Sequence, residues 1–294
     1  MAICMQQLHR ELTNRKFYSM ILGGIMSSIV VSLVLISDTT IAGILVGDKA
    51  VAGINLVAPA YSLAASFGMI FALGAPILYS KAVGSFNKKE ADHVFRFGLT
   101  ATLGSGILLF LIFFVGGELY ISSFDVAPEI LDNARNYMFW IRIDVIFLPV
   151  STFIPGMVFA DGDELLSSLS DVVSTVANIL LSVFLGRMFG VAGIGMASLA
   201  GTIVILGVCS LHFLKKRNSL KLGIYFSKRL LVSNFRYSVV DASSFLFLAI
   251  FVAVMNRYLT VRFGPDMLLM LLAPFIPRIL GFSDSRIPLF QILQ

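Results

Sequence analysis

The feature that most constrains this chain is a succession of apolar runs, each about as long as a bilayer is thick. At 1.5 Å rise per residue, about 20 apolar residues carry a helix across the hydrocarbon. Such runs extend from about Phe17 to Ile44, Val51 to Tyr79, Phe97 to Val115, Tyr137 to Ala160, Leu165 to Leu185 and Val191 to Leu214. A seventh covers Val239 to Leu259, and a short eighth, Met267 to Phe282, is broken by Pro274, Pro277 and Arg278. The expected fold class is an all-α polytopic membrane protein in a lipid bilayer. Composition agrees, because 57% of the 294 residues are hydrophobic and 13% are charged, against about 25% charged in a soluble domain.

The loops give the orientation. If six helices precede Lys215, the basic residues of the tail (Arg10, Arg15, Lys16), of the second-to-third loop (Lys81, Lys88, Lys89, Arg96) and of the stretch Lys215 to Arg236 fall on one side. The acidic segment with Glu118, Asp125, Glu129 and Asp132 falls on the other. The positive-inside rule then predicts a cytoplasmic N-terminus in the cell membrane. The tail is polar through Lys16, and the run after it is too long for the apolar part of a signal peptide. Cys4 and Cys209 suggest neither a disulfide framework nor a metal cluster.

Small residues recur every four positions at Ala60, Ala64, Gly68 and Ala72, and again at Gly193, Ala197 and Gly201. Such stripes let helices approach closely in lipid. Polar stripes are rarer and more telling. Asp38 stands in the first run with Ser37, Thr39 and Thr40 beside it. Asn55 shares a face with Ser62 and Ser66, and Asp171, Ser174 or Thr175, Asn178 and Ser182 share one in the fifth run. Two readings fit Asp38: a carboxylate turned into a wet cavity, or an interfacial residue where the helix leaves the membrane. Two also fit Asn178: a cation ligand, or an interhelical hydrogen bond worth about 0.6 kcal/mol. Arg142 and Asp144, two residues apart on one helix, do not face each other and read as interfacial. The chain carries no phosphate-binding glycine loop with Lys-Ser/Thr and no HExxH. It is not read as an enzyme, and neither a cofactor nor nucleic acid is implied.

Taken in order, several short motifs resemble one family. Ser37-Asp38-Thr39-Thr40-Ile41-Ala42-Gly43 followed by Ala50-Val51-Ala52-Gly53 looks like the first-helix signature of MATE (multidrug and toxic compound extrusion) transporters. Ala82-Val83-Gly84, Ala160-Asp161-Gly162-Asp163, Val176-Ala177-Asn178-Ile179-Leu180-Leu181 and the glycine-rich Gly190 to Ala197 resemble later motifs in the same order. The resemblance implies a six-helix N-terminal lobe, residues 17–214, after a cytoplasmic tail 1–16. A basic cytoplasmic linker, 215–236, and the start of a second lobe, 237–294, truncated or rearranged, would follow. It implies export of organic cations or drugs in exchange for Na+ or H+. The family's coupling residues map onto Asp38 and Asn178, with Na+ as one candidate ion there, and Thr39, Asn55, Asp171, Thr175 and Ser182 are cavity-lining candidates. The family's usual acid four residues after the asparagine is Ser182 here, so a coupling scheme with two carboxylates in this lobe holds only if Asp171, two turns before that asparagine on the stripe, substitutes. A second lobe or a homodimer would complete the pathway. An inactive or interaction-only membrane fragment is one alternative, and a lipid-linked precursor flippase of the same superfold is another.

Overall fold

The structure, a computed structural model, describes residues 37–263. The tail, the first part of the first run and the proline-broken eighth run lie outside the described residues. Helix α1 occupies 37–45, and the chain continues through α2 (Asp48–Ala72), α3 (Gly74–Gly84), α4 (Lys88–Ser122), α5 (Pro128–Ala160), α6 (Glu164–Phe189), α7 (Val191–Ser210) and α8 (Lys228–Phe263). Among the described residues, five segments are long and apolar enough to cross a membrane: Asp48–Gly84, Lys88–Ser122, Pro128–Ala160, Glu164–Phe189 and Val191–Leu214. They correspond to the second through sixth apolar runs. The seventh run, 239–259, lies within α8.

Local chemistry sets the helix ends. Asn87 caps α4, its side chain accepting from Glu90 N–H at 3.1 Å. Pro128 opens α5 at a position where a missing N–H costs nothing. Gly162 and Gly190, with φ of +93° and +59°, make the turns into α6 and α7. A side chain at either would strain that backbone. Helix α5 starts nine residues before the hydropathy edge at Tyr137, and α4 outruns its apolar run at both ends. Residues 228–236 of the expected linker form the first turns of α8.

The small-residue stripes lie at helix contacts. At Gly68 an added Cβ would stand 2.9 Å from Pro149 of α5, and at Gly201 it would stand 3.1 Å from Asn178 of α6. Two apolar clusters form the core. One joins α1, α2, the end of α4 and the first half of α5. The other joins α3, the start of α4, the second half of α5 and the linker.

The two ends of the bundle differ in charge. At one, Arg96 Nε donates to the Lys221 carbonyl at 3.3 Å and Arg229 pairs with Glu90 at 2.8 Å, so the second-to-third loop meets the basic linker. At the other, Lys49 pairs with Glu129, and Arg135 with Glu118 at 2.8 Å.

Candidate functional site

A cavity of about 250 Å3 opens among α1, α2, α5, α6 and α7. Asp38 and Thr39 line it from α1, Tyr61 and Ser62 from α2, Tyr137 from α5, Asn178 from α6, and Ser198 and Thr202 from α7. No lysine, arginine or histidine is among the described residues lining it.

Asp38 is held on one oxygen only. Its Oδ2 accepts from Ser198 Oγ at 3.0 Å and from Tyr137 OH at 3.3 Å. Its Oδ1 is buried without a hydrogen-bond partner among the described residues, and so is Asn178 Oδ1. A desolvated carboxylate without a counter-charge is costly by several kcal/mol. The arrangement leaves two hard oxygen atoms free for a cation, the donor type that Na+ takes from protein. Asp38 is thus set in a polar cavity rather than at an exposed helix end.

The other sequence candidates divide. Thr39 lines the cavity. Ser182 is wholly buried and interacts with Asp38. Asn55 and Thr175 are buried but are not among the lining residues; from the same helix, α6, Ser174 lines the cavity instead. Asp171 interacts with Cys209 near the end of α7 and is not among the lining residues either.

The second acid near Asp38 comes from a different helix. Asp144 is 0% exposed, its Oδ2 accepts from Tyr61 OH at 3.1 Å, and Thr202 also interacts with it. The interfacial reading of Asp144 is corrected, because α5 begins at Pro128 and places it in the middle of the helix. Arg142 turns the other way, its Nε lying 3.4 Å from where a Cβ on Gly117 of α4 would stand. Sequence reasoning also missed Tyr61, Tyr137 and Ser198. The tyrosine hydroxyls are hidden in apolar runs, and only their positions facing Asp144 and Asp38 give them meaning.

A separate cluster fastens the linker. Asp161 Oδ2 and Asp163 Oδ2 each lie 2.9 Å from a ring nitrogen of His212. Tyr79 donates to Asp161 at 2.5 Å, Ser219 N–H donates to it at 2.9 Å, and Lys215 pairs with Asp163 at 2.6 Å. Burial would push the Asp163 carboxyl up, but the hydrogen bonds from Lys215 and His212, then their charges, hold it below its ordinary 3.8.

A helical membrane bundle with a polar cavity and an acid from its first helix defines a transporter-like class. The MatE family model matches residues 24–184, and the chain belongs to the MatE family. Solved structures agree in fold. An inward-facing multidrug resistance MATE family transporter of the MOP superfamily shares 19% identity at a TM-score of 0.78, covering 85% of this chain and 58% of that one. The MATE multidrug transporter DinF-BH, solved as a complex, shares 22% at 0.79, covering 90% and 60%. A MOP superfamily transporter from Pyrococcus furiosus, whose binding-pocket polarity is described as reversed and suggestive of a different function, shares 18% at 0.75, covering 90% and 60%. The chain thus spans about 58–60% of the length of these transporters. No curated protein matches it.

Proposed function

We propose that the chain acts as the N-terminal lobe of a MATE-type secondary transporter. It would export organic cations or drugs across the cell membrane by exchange for Na+ or H+, with the basic end and the N-terminus in the cytoplasm. One observation carries the reading: Asp38 has a buried Oδ1 with no hydrogen-bond partner among the described residues, and Asn178 adds a second such oxygen in the same cavity, which no described basic residue lines. Asp38 would hold the coupling ion, Asn178 would complete its shell, and Thr39 and Ser182 would border it. A cationic substrate and the ion would compete for the same negative charge, which is the elementary form of antiport. Alternating access by rocking needs two lobes, so a second lobe or a second copy of this chain is the proposed partner.

The test is efflux of a fluorescent cationic dye from cells expressing the chain, with and without an imposed Na+ or pH gradient, after membrane insertion is verified. Gradient-dependent efflux that Asp38→Asn abolishes is expected. Efflux that persists unchanged in Asp38→Asn removes Asp38 from the mechanism.

A further inference from the structure

Two carboxylates, not one, belong to this polar cluster, Asp38 half-buried and Asp144 buried, and their surroundings differ. Asp38 borders open volume; Asp144 does not line the cavity and is 0% exposed. Its Oδ2 takes the Tyr61 hydroxyl, while its Oδ1 is buried with no partner. Among the described residues, the titratable groups facing it are Tyr61 of α2, Asp38 of α1 and Tyr137 of its own helix; Arg142, two residues away, lies against Gly117 of α4. Among the described residues no salt bridge neutralises Asp144, and an unpaired buried carboxylate is not stable as such. A sodium ion needs a shell of oxygen atoms and space to hold it. A proton needs neither.

We infer that Asp144 is a proton-carrying site behind the cavity wall, loaded and emptied through the Tyr61 hydroxyl, and separate from the ion site at Asp38. The inference rests on the reading of Asp38 only for its role in exchange; the proton site stands on its own geometry. Tyr61 suits the relay because it lines the cavity and its hydroxyl donates to Asp144. The transfer balances when the proton comes from solvent: the Tyr61 O–H proton passes to the carboxylate while the phenol oxygen takes one from a hydronium ion in the cavity, which leaves as neutral water.

Infrared spectroscopy of the purified full chain in lipid vesicles tests this. Neutral carboxyl groups give a C=O band that shifts when H2O is exchanged for D2O. The expected result is a band component that Asp144→Asn removes and Asp38→Asn leaves in place. Tyr61→Phe should move that component to higher frequency and slow its exchange several-fold, a signature that a packing defect alone would not give. An unchanged band in Asp144→Asn together with an unmoved band in Tyr61→Phe overturns the proposal. If Asp38→Asn leaves gradient-driven dye efflux intact while Asp144→Asn still removes the component, the reading of Asp38 fails and the proton site at Asp144 stands.

Discussion

Tyr137 of α5 donates its hydroxyl to Asp38 Oδ2 at 3.3 Å, across a sequence separation of 99 residues. Ser198 of α7 donates to the same oxygen at 3.0 Å. Three helices therefore meet at one carboxylate oxygen and leave the other without a partner among the described residues. Hydrogen bonds to a charged group contribute about 1.5–3 kcal/mol each, enough to set how tightly Asp38 would hold the proposed ion.

Removing either donor should make Asp38 bind its cation more tightly, because the empty carboxylate loses a competing partner. In Ser198→Ala and in Tyr137→Phe, the ion concentration giving half-maximal dye efflux should fall by roughly tenfold, since 1.4 kcal/mol is a factor of 10. Insertion and expression should not change, as both substitutions keep the side chain's bulk nearly intact. Ion dependence identical to wild type in both variants would mean that these bonds do not act on the coupling ion.

Helix packing gives a paired test. Gly68 has no room for a side chain, with Pro149 Cγ 2.9 Å from where a Cβ would stand, whereas Gly104 of α4 has nothing within 4 Å. Gly68→Ala should lower stability by about 1–3 kcal/mol through overpacking. Gly104→Ala should be neutral or slightly stabilising, because alanine is the better helix former by up to about 1 kcal/mol. Melting of the two variants in the same detergent separates these outcomes. Equal melting temperatures would mean that α2 and α5 can move apart at no cost.

Much of this architecture is legible in the residues themselves. Hydropathy locates the second to sixth spans, because lipid imposes one length and one polarity on each. It misjudges ends wherever helices extend past the hydrocarbon, and that error hides Asp144. Measured from Tyr137, Asp144 sits near a helix start; measured from Pro128, it is at mid-helix. The Ala127-Pro128-Glu129 start signal is present in the chain, and a helix begun there places the acid correctly. Asp38 and Asn178 stand out because polar atoms are rare in such runs. That Asp38 and Asn178 share a cavity, and that Asp171 lines no part of it, depends on how α1 and α6 sit against α7, which no single-helix periodicity encodes.

The linker anchor should depend on pH in a definite direction. Burial of Asp163 is outweighed by its hydrogen bonds from Lys215 and His212, which hold it below its ordinary 3.8. A carboxylate with a depressed folded value binds fewer protons folded than unfolded in that range, so its contribution is complete above about pH 4 and fades as pH falls further. Amide protection in residues 215–227, taken relative to the intrinsic exchange rate at each pH, should thus be high at neutral pH and fall in acid. Asp163→Asn should show the acid behaviour already at neutral pH, with exchange several-fold faster than wild type. Exchange that is equally slow in the variant would assign the anchoring to Asp161 and Ser219 alone.

The contact of α8 with the break between α2 and α3 makes the last prediction. A helix leaves its final four carbonyls without intrahelical partners, and α2 ends at Ala72 inside the protein. Leu73 N–H takes the Met69 carbonyl. The next two are taken from α8: Asn234 Nδ2 donates to Ile70 O at 2.9 Å and lies 3.4 Å from Phe71 O. Asn234 therefore acts as a C-cap supplied from 164 residues away, and the approach is close enough that a Cβ on Gly74 would stand 2.6 Å from Ser238 Oγ. Asn234→Asp keeps the shape but replaces the donor with an acceptor facing two carbonyls. It should cost at least as much as Asn234→Ala, about 1–3 kcal/mol for an unmet buried polar group. Gly74→Val should separate α8 from the break by steric force alone. If limited proteolysis at 215–227 speeds up in Asn234→Asp and Gly74→Val alike, the cap is what docks α8. If only Gly74→Val responds, close packing at Gly74 suffices and the carbonyls find other partners.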